Sequence, residues 1–274
     1  MNNYDSFSEI GSQHKICEDF IISGQYPVPH VILSDGCSSS KDTNCGAMIL
    51  TQLAKQYLQF KIMELNNINY EDMGKWIICN AETTARQLGL SPPCLDATLI
   101  ISFMLPKLIH VYIYGDGYII RVNKHKEIES TQICFSDNAP YYLSYNLDFI
   151  RKKAYSDMKH MMSIQNYKKT GGFSTIGELP HNHPLHYSFI PSFYKEIYIA
   201  SDGIDSFIRN GVKLPTENVI KSFLNIEKEN RDKTTKGVFI QRRCRNAIKI
   251  IRKEGWDHYD DISFGGFQLC HDTT

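Results

Sequence analysis

Four short stretches of the chain place carboxylate side chains beside a predicted turn or at the end of a predicted strand. Their acidic residues are Glu18 with Asp19, Asp35, Asp202, and Asp260 with Asp261. Apolar runs precede Asp35 and Asp202 and predict buried strands, and the glycine after each aspartate lets the chain turn sharply. Carboxylates gathered at neighbouring strand ends repel one another strongly unless a cation neutralises them. The sequence therefore predicts an oxygen-ligated divalent metal site.

The composition is typical of an enzyme rather than of a nucleic-acid-binding or membrane protein. The chain has 274 residues, of which 42% are hydrophobic, so it can bury the core of one large domain or two small ones. Its 30 acidic and 30 basic residues give no net charge, which argues against sequence-independent binding to nucleic acid. Apolar runs are shorter than the roughly 20 residues that span a bilayer, and the N-terminus lacks a signal-peptide pattern. We expect a cytoplasmic protein.

The cysteines do not indicate disulfides or a zinc site. All eight are scattered, without any Cys-x-x-Cys spacing, and most lie in apolar patterns where a free thiol behaves as a small hydrophobic group. Cys37 is the exception, because it directly follows Asp35 and Gly36. A nucleophile of the tyrosine-phosphatase type would need a phosphate-binding loop with an arginine, which is missing around Cys37, so we discount that role.

The elements that must position these carboxylates are predicted from hydrophobic periodicity. The predicted strands cover about 7–11, 19–23, 30–35, 98–105, 109–114, 118–122, 128–135, 196–201 and 262–269. The predicted helices cover about 45–64, 71–88, a segment from 216, and 235–253. Because helix pairs interrupt groups of hairpin-connected strands, we expect an α+β fold, with antiparallel sheets and helices packed outside. For residues 136–192 the sequence predicts an irregular insertion, partly helical and partly extended, that forms a flap beside the site.

Two other groups of residues could carry chemistry, but each has a simpler interpretation. A possible zinc set consists of His181, His183 and His186, although Pro184 and the surrounding composition favour a solvated loop. A basic stripe on the last predicted helix resembles a nucleic-acid surface and consists of Arg242, Arg243, Arg245, Arg252 and Lys253. With Ala247, Ile248 and Ile251 turned inward, a solvated helix face is the expected role of this stripe.

The order of the motifs resembles that of the metal-dependent serine/threonine phosphatases of type 2C. The motifs are Glu18-Asp19, Asp35-Gly36, Asp96-Ala97-Thr98, Gly115-Asp116-Gly117, Ser201-Asp202-Gly203 and Asp260-Asp261-Ile262-Ser263. The resemblance covers about residues 11–267, and the stretches 11–14 and 138–142 are similar to a divergent bacterial branch. It implies a single catalytic domain over 1–274, folded as a four-layer α-β-β-α sandwich with metals between the edges of two antiparallel sheets.

The resemblance also implies a ligand for each ion. Asp35 would bridge two Mn²⁺ or Mg²⁺ ions. Asp202 and Asp260 would complete the first ion, and Glu18 with the carbonyl of Gly36 would hold the second. Oxygen ligands with several retained waters are what such hard cations prefer.

The resemblance also implies roles for two further carboxylates, and with them the expected activity. Asp116 would bind a weaker third ion together with Asp202, and Asp19 would orient a water on the metal. A water that bridges the two ions would attack phosphoserine or phosphothreonine of a phosphoprotein, and a partner kinase would supply that substrate.

Two positions depart from the commoner pattern of the family. His14 stands where many members have an arginine that binds the substrate phosphate, and imidazole does not replace a bidentate guanidinium in kind. Cys37, followed by Ser38 and Ser39, stands where eukaryotic members often have a histidine and then a glycine pair. The alternative hypothesis is therefore a catalytically weak type 2C-like module that binds phosphoproteins or has a regulatory role.

Overall fold

The computed structural model describes residues 3–168, 172–224 and 238–269 as a mixture of strands and helices. The strands are β1 (Asn3–Glu9), β2 (Phe20–Gly24), β3 (His30–Gly36), β4 (Ala97–Met104), β5 (Ile109–Tyr114), β6 (Gly117–Asn123), β7 (Ile128–Phe135), β8 (Met161–Lys168), β9 (Gly172–Pro180), β10 (Leu185–Phe189), β11 (Tyr194–Ala200), β12 (Phe207–Arg209), β13 (Val212–Lys213), β14 (Asp257–His258) and β15 (Ile262–Gln268). The α-helices are α1 (Thr43–Phe60), α2 (Tyr70–Gln87), α3 (Phe149–Asp157), α4 (Thr216–Leu224) and α5 (Phe239–Lys253).

The strands form antiparallel sheets, as the sequence predicted. A seven-stranded sheet has the order β1-β15-β11-β6-β7-β8-β9, and a five-stranded sheet has the order β10-β5-β4-β3-β2. A small sheet of β13, β12 and β14 completes the described part of the chain. This small sheet was not predicted, because strands of two or three residues are too short to show a period.

Alternation along each buried strand divides the apolar side chains between separate clusters. On β3, Ile32 packs against helices α1 and α2 together with Leu50 and Ile77. Its neighbours Val31 and Leu33 point to the opposite face and pack against the seven-stranded sheet, as a period of two requires. A third cluster lies between the seven-stranded sheet and helices α4 and α5.

Local sequence determines where helix α2 begins. The side chain of Asn69 caps it by accepting a hydrogen bond from the backbone N–H of Asp72 at 3.0 Å. Glu71 and Asp72 lie in the first turn and Arg86 in the last, which suits the helix dipole. The predicted boundaries 71–88 agree with the observed helix within about one residue.

Other predicted boundaries differ more. The helix predicted over 45–64 begins at Thr43 and ends at Phe60, and a 3₁₀ turn follows over Ile62–Asn67. The last helix was predicted from 235, but residues 235–237 lie outside the described residues and the described helix begins at Phe239. None of the described helices is long and apolar enough to cross a membrane.

The segment 136–192 is partly helical and partly extended. It contains α3 and three strands, of which β8 and β9 extend the seven-stranded sheet and β10 extends the five-stranded sheet. Its strands are therefore hydrogen-bonded into both sheets. Its role as a flap beside the site stays a prediction.

The expectation that the whole basic stripe of the last helix is solvated is wrong for Arg243. Its guanidinium lies 3.2 Å from the Oε1 atom of buried Glu196 and donates to the Tyr198 hydroxyl at 3.1 Å. The same group lies over the ring of Phe239 at 5.1 Å. Arg243 is thus drawn inward by a buried carboxylate, a partner that helical periodicity alone does not reveal.

Candidate metal centre

Asp35 lies at the end of β3, opposite Thr98 of β4. Burial raises the pKa of its carboxyl well above the ordinary range. The charges of neighbouring carboxylates raise it further, and these neighbours are Asp19, Asp202, Asp116 and Asp260. The strand ends and turns therefore place these carboxylates near enough to Asp35 to raise its pKa, and their role as metal ligands stays a prediction.

Asp116 and Asp202 lie beside Asp35 on different elements. Asp116 occupies the turn between β5 and β6, where its Oδ1 atom accepts a hydrogen bond from the Thr98 hydroxyl at 2.6 Å. Asp202 begins the 3₁₀ turn that follows β11. Burial raises the pKa of Asp116 to about 6 and that of Asp202 to about 7, and the charge of Asp260 contributes to both shifts.

Asp19 is buried behind this group, with 5% of its surface exposed. Its Oδ2 atom accepts a hydrogen bond from the Ser201 hydroxyl at 2.8 Å. The Ser201 oxygen in turn accepts from the backbone N–H of Ser263 at 2.9 Å, so this serine links three parts of the site. Burial, and then the charge of Asp261, raises the pKa of Asp19 well above its ordinary range.

Glu18 and Gly36 adjoin each other at the start of α1. The Thr43 hydroxyl donates to Glu18 Oε1 at 3.2 Å. A Cβ atom at Gly36 would lie 2.8 Å from the Thr43 Cβ and 2.9 Å from the Glu18 carbonyl oxygen. Only glycine fits between these two neighbours without a shift, which keeps the Gly36 backbone close to Glu18.

Asp261 was not chosen from the sequence as a site residue, yet it holds the loop that carries His14 and Glu18. Its carboxylate accepts hydrogen bonds from the backbone N–H groups of Gly11 at 2.7 Å and Glu18 at 2.5 Å. Its position beside Asp260 in the last motif was the available signal.

His14 faces carboxylates on several sides. Its Nδ1 atom lies 3.0 Å from Asp261 Oδ2, and its Nε2 atom lies 3.4 Å from Asp260 Oδ1. Glu18 Oε2 is 3.8 Å from Nδ1. Burial lowers the pKa of His14, but the charges of Asp261, Asp260 and Glu18 outweigh it and the net shift is upward. The imidazole thus lies beside the predicted metal ligands and offsets part of their charge.

A hydrogen-bond network also positions the turn that carries Asp202. Three residues further on, Asp205 Oδ2 accepts from the Tyr118 hydroxyl at 2.5 Å and from Gln132 Nε2 at 3.1 Å. Its other carboxylate oxygen accepts from the Thr216 hydroxyl. Tyr118 follows Asp116 closely on β6, so this network joins the two elements that carry Asp116 and Asp202. The second aspartate in the turn was visible in the sequence, but its partners lie far away along the chain.

Buried Asp96 joins the segment 136–192 to the loop after β3. Its carboxylate accepts hydrogen bonds from Ser40 at 2.8 Å, Ser144 at 2.6 Å and Arg151 at 2.8 Å. Its carbonyl accepts from the backbone N–H of Cys37 at 2.9 Å. The Arg151 guanidinium also lies over the ring of Tyr145 at 4.8 Å. One carboxylate thus fixes two loops that approach the candidate site.

The donor set fits a hard divalent cation. Within 3–168, 172–224 and 238–269, no lysine or arginine forms an ion pair with Asp35, Asp116 or Asp202. In the same residues, no three His, Cys, Asp or Glu side chains lie close enough to form a ready metal-binding group, so the carboxylates around Asp35 affect one another's pKa without forming a complete ligand set. Mg²⁺ and similar ions keep several waters and need only one or two carboxylates each, so dispersed oxygen donors suit them better than zinc.

The three histidines of the possible zinc set do not converge. The Nε2 atom of His186 lies 3.0 Å from His110 Nδ1, and its ring stacks on Tyr112 at 4.1 Å. His181 instead packs against the ring of Tyr141 at 4.9 Å. His181 and His186 therefore belong to separate aromatic contacts.

The cysteines in the described residues are free thiols. Cys270 lies outside the described residues. Cys37 is partly buried, and its sulfur contacts the Ser39 hydroxyl oxygen at 3.1 Å. No arginine-bearing loop surrounds it among the contacts of the described residues.

The sequence that forms these sheets and carries these carboxylates matches the model of a known protein family. The sequence profile of the Protein phosphatase 2C family matches residues 12–234, which is most of the chain. The chain therefore belongs to the protein phosphatase 2C family. A search of curated protein sequences gives no significant match.

Solved structures of bacterial phosphatases share the fold at low sequence identity. A bacterial serine phosphatase superposes with a TM-score of 0.60 at 15% identity, with full coverage of both chains. The serine/threonine phosphatase Stp1 of Staphylococcus aureus gives 0.55 at 15% identity, covering 99% of this chain and 96% of its own. The phosphatase PstP of Mycobacterium tuberculosis gives 0.51 at 13% identity, covering 98% and 99%. At this identity the likeness establishes the fold alone.

Proposed function

We propose that this chain is a Mn²⁺- or Mg²⁺-dependent phosphatase that hydrolyses phosphoserine and phosphothreonine in proteins. The observation that carries the proposal is the group of buried and partly buried carboxylates around Asp35, whose charges raise one another's pKa without a lysine or arginine among the described residues to offset them. Such a group is stabilised when cations bind. Membership of the family supports the reaction class, and a partner kinase would supply the phosphoprotein substrate.

The proposed architecture is a four-layer α-β-β-α sandwich that forms a single catalytic domain. Its support is the position of the three apolar clusters. One lies between helices α1 and α2 and the five-stranded sheet, one between the two large sheets, and one between the seven-stranded sheet and helices α4 and α5. The site carboxylates lie at strand ends and turns, where the two sheets approach each other.

We assign the ligands as follows. Asp35 would contact two ions, Asp202 and Asp260 would complete the first, and Glu18 with the Gly36 carbonyl would complete the second. The close approach of Gly36 to Glu18 supports placing them on the same ion. When bound, the ions would activate a water for attack on phosphorus and offset the charge of the phosphoryl oxygens.

The other site residues would position these ligands. Asp116 would bind a weaker third ion with Asp202, which its raised pKa and its place beside Asp202 support. Asp19, held by Ser201, would accept a hydrogen bond from water at the site and orient it. His14 would offset the charges of Asp260 and Asp261 and, where it reaches the substrate, donate to a phosphate oxygen.

Phosphate release from a phosphoserine peptide tests this proposal. We expect turnover with Mn²⁺ or Mg²⁺, little turnover with Ca²⁺, and loss of turnover in excess EDTA that added Mn²⁺ restores. Ca²⁺ is larger and activates bound water less, so it should occupy the site without supporting the reaction. Full activity in excess EDTA would contradict the proposal.

The second candidate function is a phosphoprotein-binding module with weak catalysis. His14 favours this function, because it stands where many members of the family have an arginine that binds phosphate. Its imidazole lies beside the carboxylates of Asp260, Asp261 and Glu18, which take up part of its positive charge. A module of this kind should bind the phosphopeptide in the presence of Mn²⁺, as calorimetry would detect, without releasing phosphate. Turnover that requires Mn²⁺ excludes it.

A further inference from the structure

A cavity of about 490 Å³ lies between helix α2, strand β5 and the segment 136–192. None of the proposed metal ligands lines it, so it is separate from the carboxylate site. Its volume is within the range of roughly 300–1,000 Å³ that is typical of small-molecule sites. We propose that this cavity is a binding site for a small planar aromatic anion.

The walls of the cavity are aromatic and fixed in position. Tyr70 and Tyr114 line it with their rings stacked at a centroid distance of 4.4 Å. The Tyr70 hydroxyl donates to the Ile113 carbonyl at 2.7 Å, and the Tyr114 hydroxyl donates to the Tyr70 carbonyl at 2.6 Å. Because both hydroxyls are satisfied, the rings offer apolar faces without a polar atom that needs a partner. Flat, rigid walls of this kind favour a flat aromatic ligand.

The far side of the cavity is formed by the segment 136–192. Leu143 and Tyr141 line it there, and the Tyr141 hydroxyl donates to Asn146 Oδ1 at 3.1 Å. A ligand in the cavity would contact helix α2 and this segment at once. It would therefore stabilise the position of the segment relative to the rest of the molecule.

Two lysines supply the charge that selects an anion. Lys75 and Lys152 both line the cavity, and neither forms an ion pair within the part of the chain that the structure describes. Lys152 Nζ donates to Asn146 Oδ1 at 2.9 Å, which aims it along the wall. Among the lining residues that the structure describes, Glu71 is the one carboxylate, so the two ammonium groups outweigh it. An acidic group on the ligand would gain a charge-assisted hydrogen bond from these lysines.

The cavity also adjoins the candidate metal centre through the backbone. Gly115 lines it and directly precedes Asp116. Gly115 has a φ of +103°, and a Cβ atom there would lie 2.5 Å from the Thr98 hydroxyl oxygen, so this turn tolerates little change. A ligand beside Gly115 would restrict the turn that holds Asp116. The cavity is thus placed to act as a regulatory site.

Fluorescence titration with 8-anilinonaphthalene-1-sulfonate, an aromatic anion with a planar naphthalene ring, tests the charge requirement. We expect saturable binding to one site, weakened about tenfold by Lys152→Gln. Lys153→Gln is the matched control, because Lys153 is the exposed neighbour that does not line the cavity. The uncharged analogue N-phenyl-1-naphthylamine should bind at least tenfold more weakly. Equal binding of both dyes, with no effect of Lys152→Gln, would overturn the anion requirement and with it the proposal.

A steric block tests the location without involving catalysis. Cys79 is exposed and lines the cavity, so Cys79→Trp should fill it and abolish dye binding. Thr83→Trp places the same ring one turn further along the exposed face of α2, outside the cavity, and should leave binding unchanged. Circular dichroism checks that both variants fold. If Cys79→Trp does not fold, the dye titration of Lys152→Gln decides the proposal. Undiminished binding to folded Cys79→Trp would show that the dye lies elsewhere. Neither result depends on phosphatase activity.

Discussion

At the scale of single residues, the site is a group of carboxylates whose negative charge is not neutralised by any lysine or arginine of the described residues. The sequence identified Asp35, Asp116 and Asp202 as carboxylates at strand ends or turns, and the structure places them together. Their pKa values are raised by burial and by one another, which favours binding of cations. The role of Asp261 was missed, because a carboxylate that accepts backbone hydrogen bonds from a distant loop has no local signature.

Replacing Asp35 by Asn should damage metal binding more than any other ligand change. Four neighbouring carboxylates act on Asp35, and it is the ligand that we assign to both ions. We expect calorimetric titration with Mn²⁺ to show loss of both high-affinity ions in Asp35→Asn, while Asp116→Asn keeps them. The metal-free variant should unfold at a higher temperature than the wild type, because repulsion is relieved.

Asp157→Asn, at an exposed position at the end of α3, is the control for loss of an acidic residue far from the site. Two ions bound to Asp35→Asn at wild-type affinity would refute this ranking.

His14 should affect substrate binding more than the chemical step. If its imidazole donates to the substrate phosphate, His14→Ala raises KM by about three- to tenfold with a smaller fall in kcat, and His14→Arg retains activity. Steady-state kinetics at saturating Mn²⁺ measure both constants. An unchanged KM in His14→Ala would assign the residue solely to offsetting the charges of Asp260 and Asp261, which it contacts.

At the scale of elements, periodicity predicted the long strands and helices and missed what depends on distant partners. Strand β7 and helix α2 were predicted within about one residue, because their apolar periods are long and clear. The strands β8 to β10 were not resolved from the sequence, since they carry polar and aromatic residues and are defined by pairing with β7 and β5. The inward turn of Arg243 depends on Glu196, a carboxylate from another element.

The hydrogen bond from Tyr118 to Asp205 should couple two elements of the site. Tyr118→Phe removes the donor that joins β6 to the turn carrying Asp202, while Thr216 and Gln132 still satisfy Asp205. We expect a loss of about 1 kcal/mol in the free energy of unfolding. We also expect weaker binding of the ion that Asp202 shares with Asp116, measured by Mn²⁺ titration.

Tyr26→Phe is the matched control for that variant, because Tyr26 is exposed and should change neither quantity. A fall in stability without any change in Mn²⁺ affinity would limit Tyr118 to a purely structural role.

At the scale of the whole molecule, the carboxylate group should make stability depend on pH in the absence of metal. The pKa of Asp202 is raised to about 7 and that of Asp116 to about 6, so the folded chain holds these protons more tightly than the unfolded chain. Their contribution is therefore fully favourable below the ordinary aspartate pKa of about 4 and is lost as pH rises through 6 and 7.

Asp202→Asn should remove most of this dependence. Near pH 5 the folded wild type still holds the Asp202 proton while its unfolded chain is already ionised, so the variant should be more stable by only roughly 1.5 kcal/mol. Near pH 8 the metal-free variant should be more stable by up to roughly 4 kcal/mol, since each pKa unit corresponds to about 1.4 kcal/mol. Urea unfolding in EDTA at both pH values measures the difference. A constant difference between pH 5 and 8 would contradict the assignment of repulsion to Asp202.

The position of β15 between β1 and β11 has a consequence for the order in which the protein is synthesised. Among the described strands of its sheet, β1 pairs with β15 alone, and 252 residues lie between the end of β1 at Glu9 and the start of β15 at Ile262. At a translation rate of about 5–20 residues per second, β1 leaves the ribosome roughly 13–50 seconds before its partner exists. Throughout that interval β1 lacks this partner, and β11, once it is synthesised, also presents an open edge until β15 is made, so other chains can pair with either strand. The strand that follows Asp260 thus closes the sheet and completes the site in a single late event, and the nascent chain depends on protection until then.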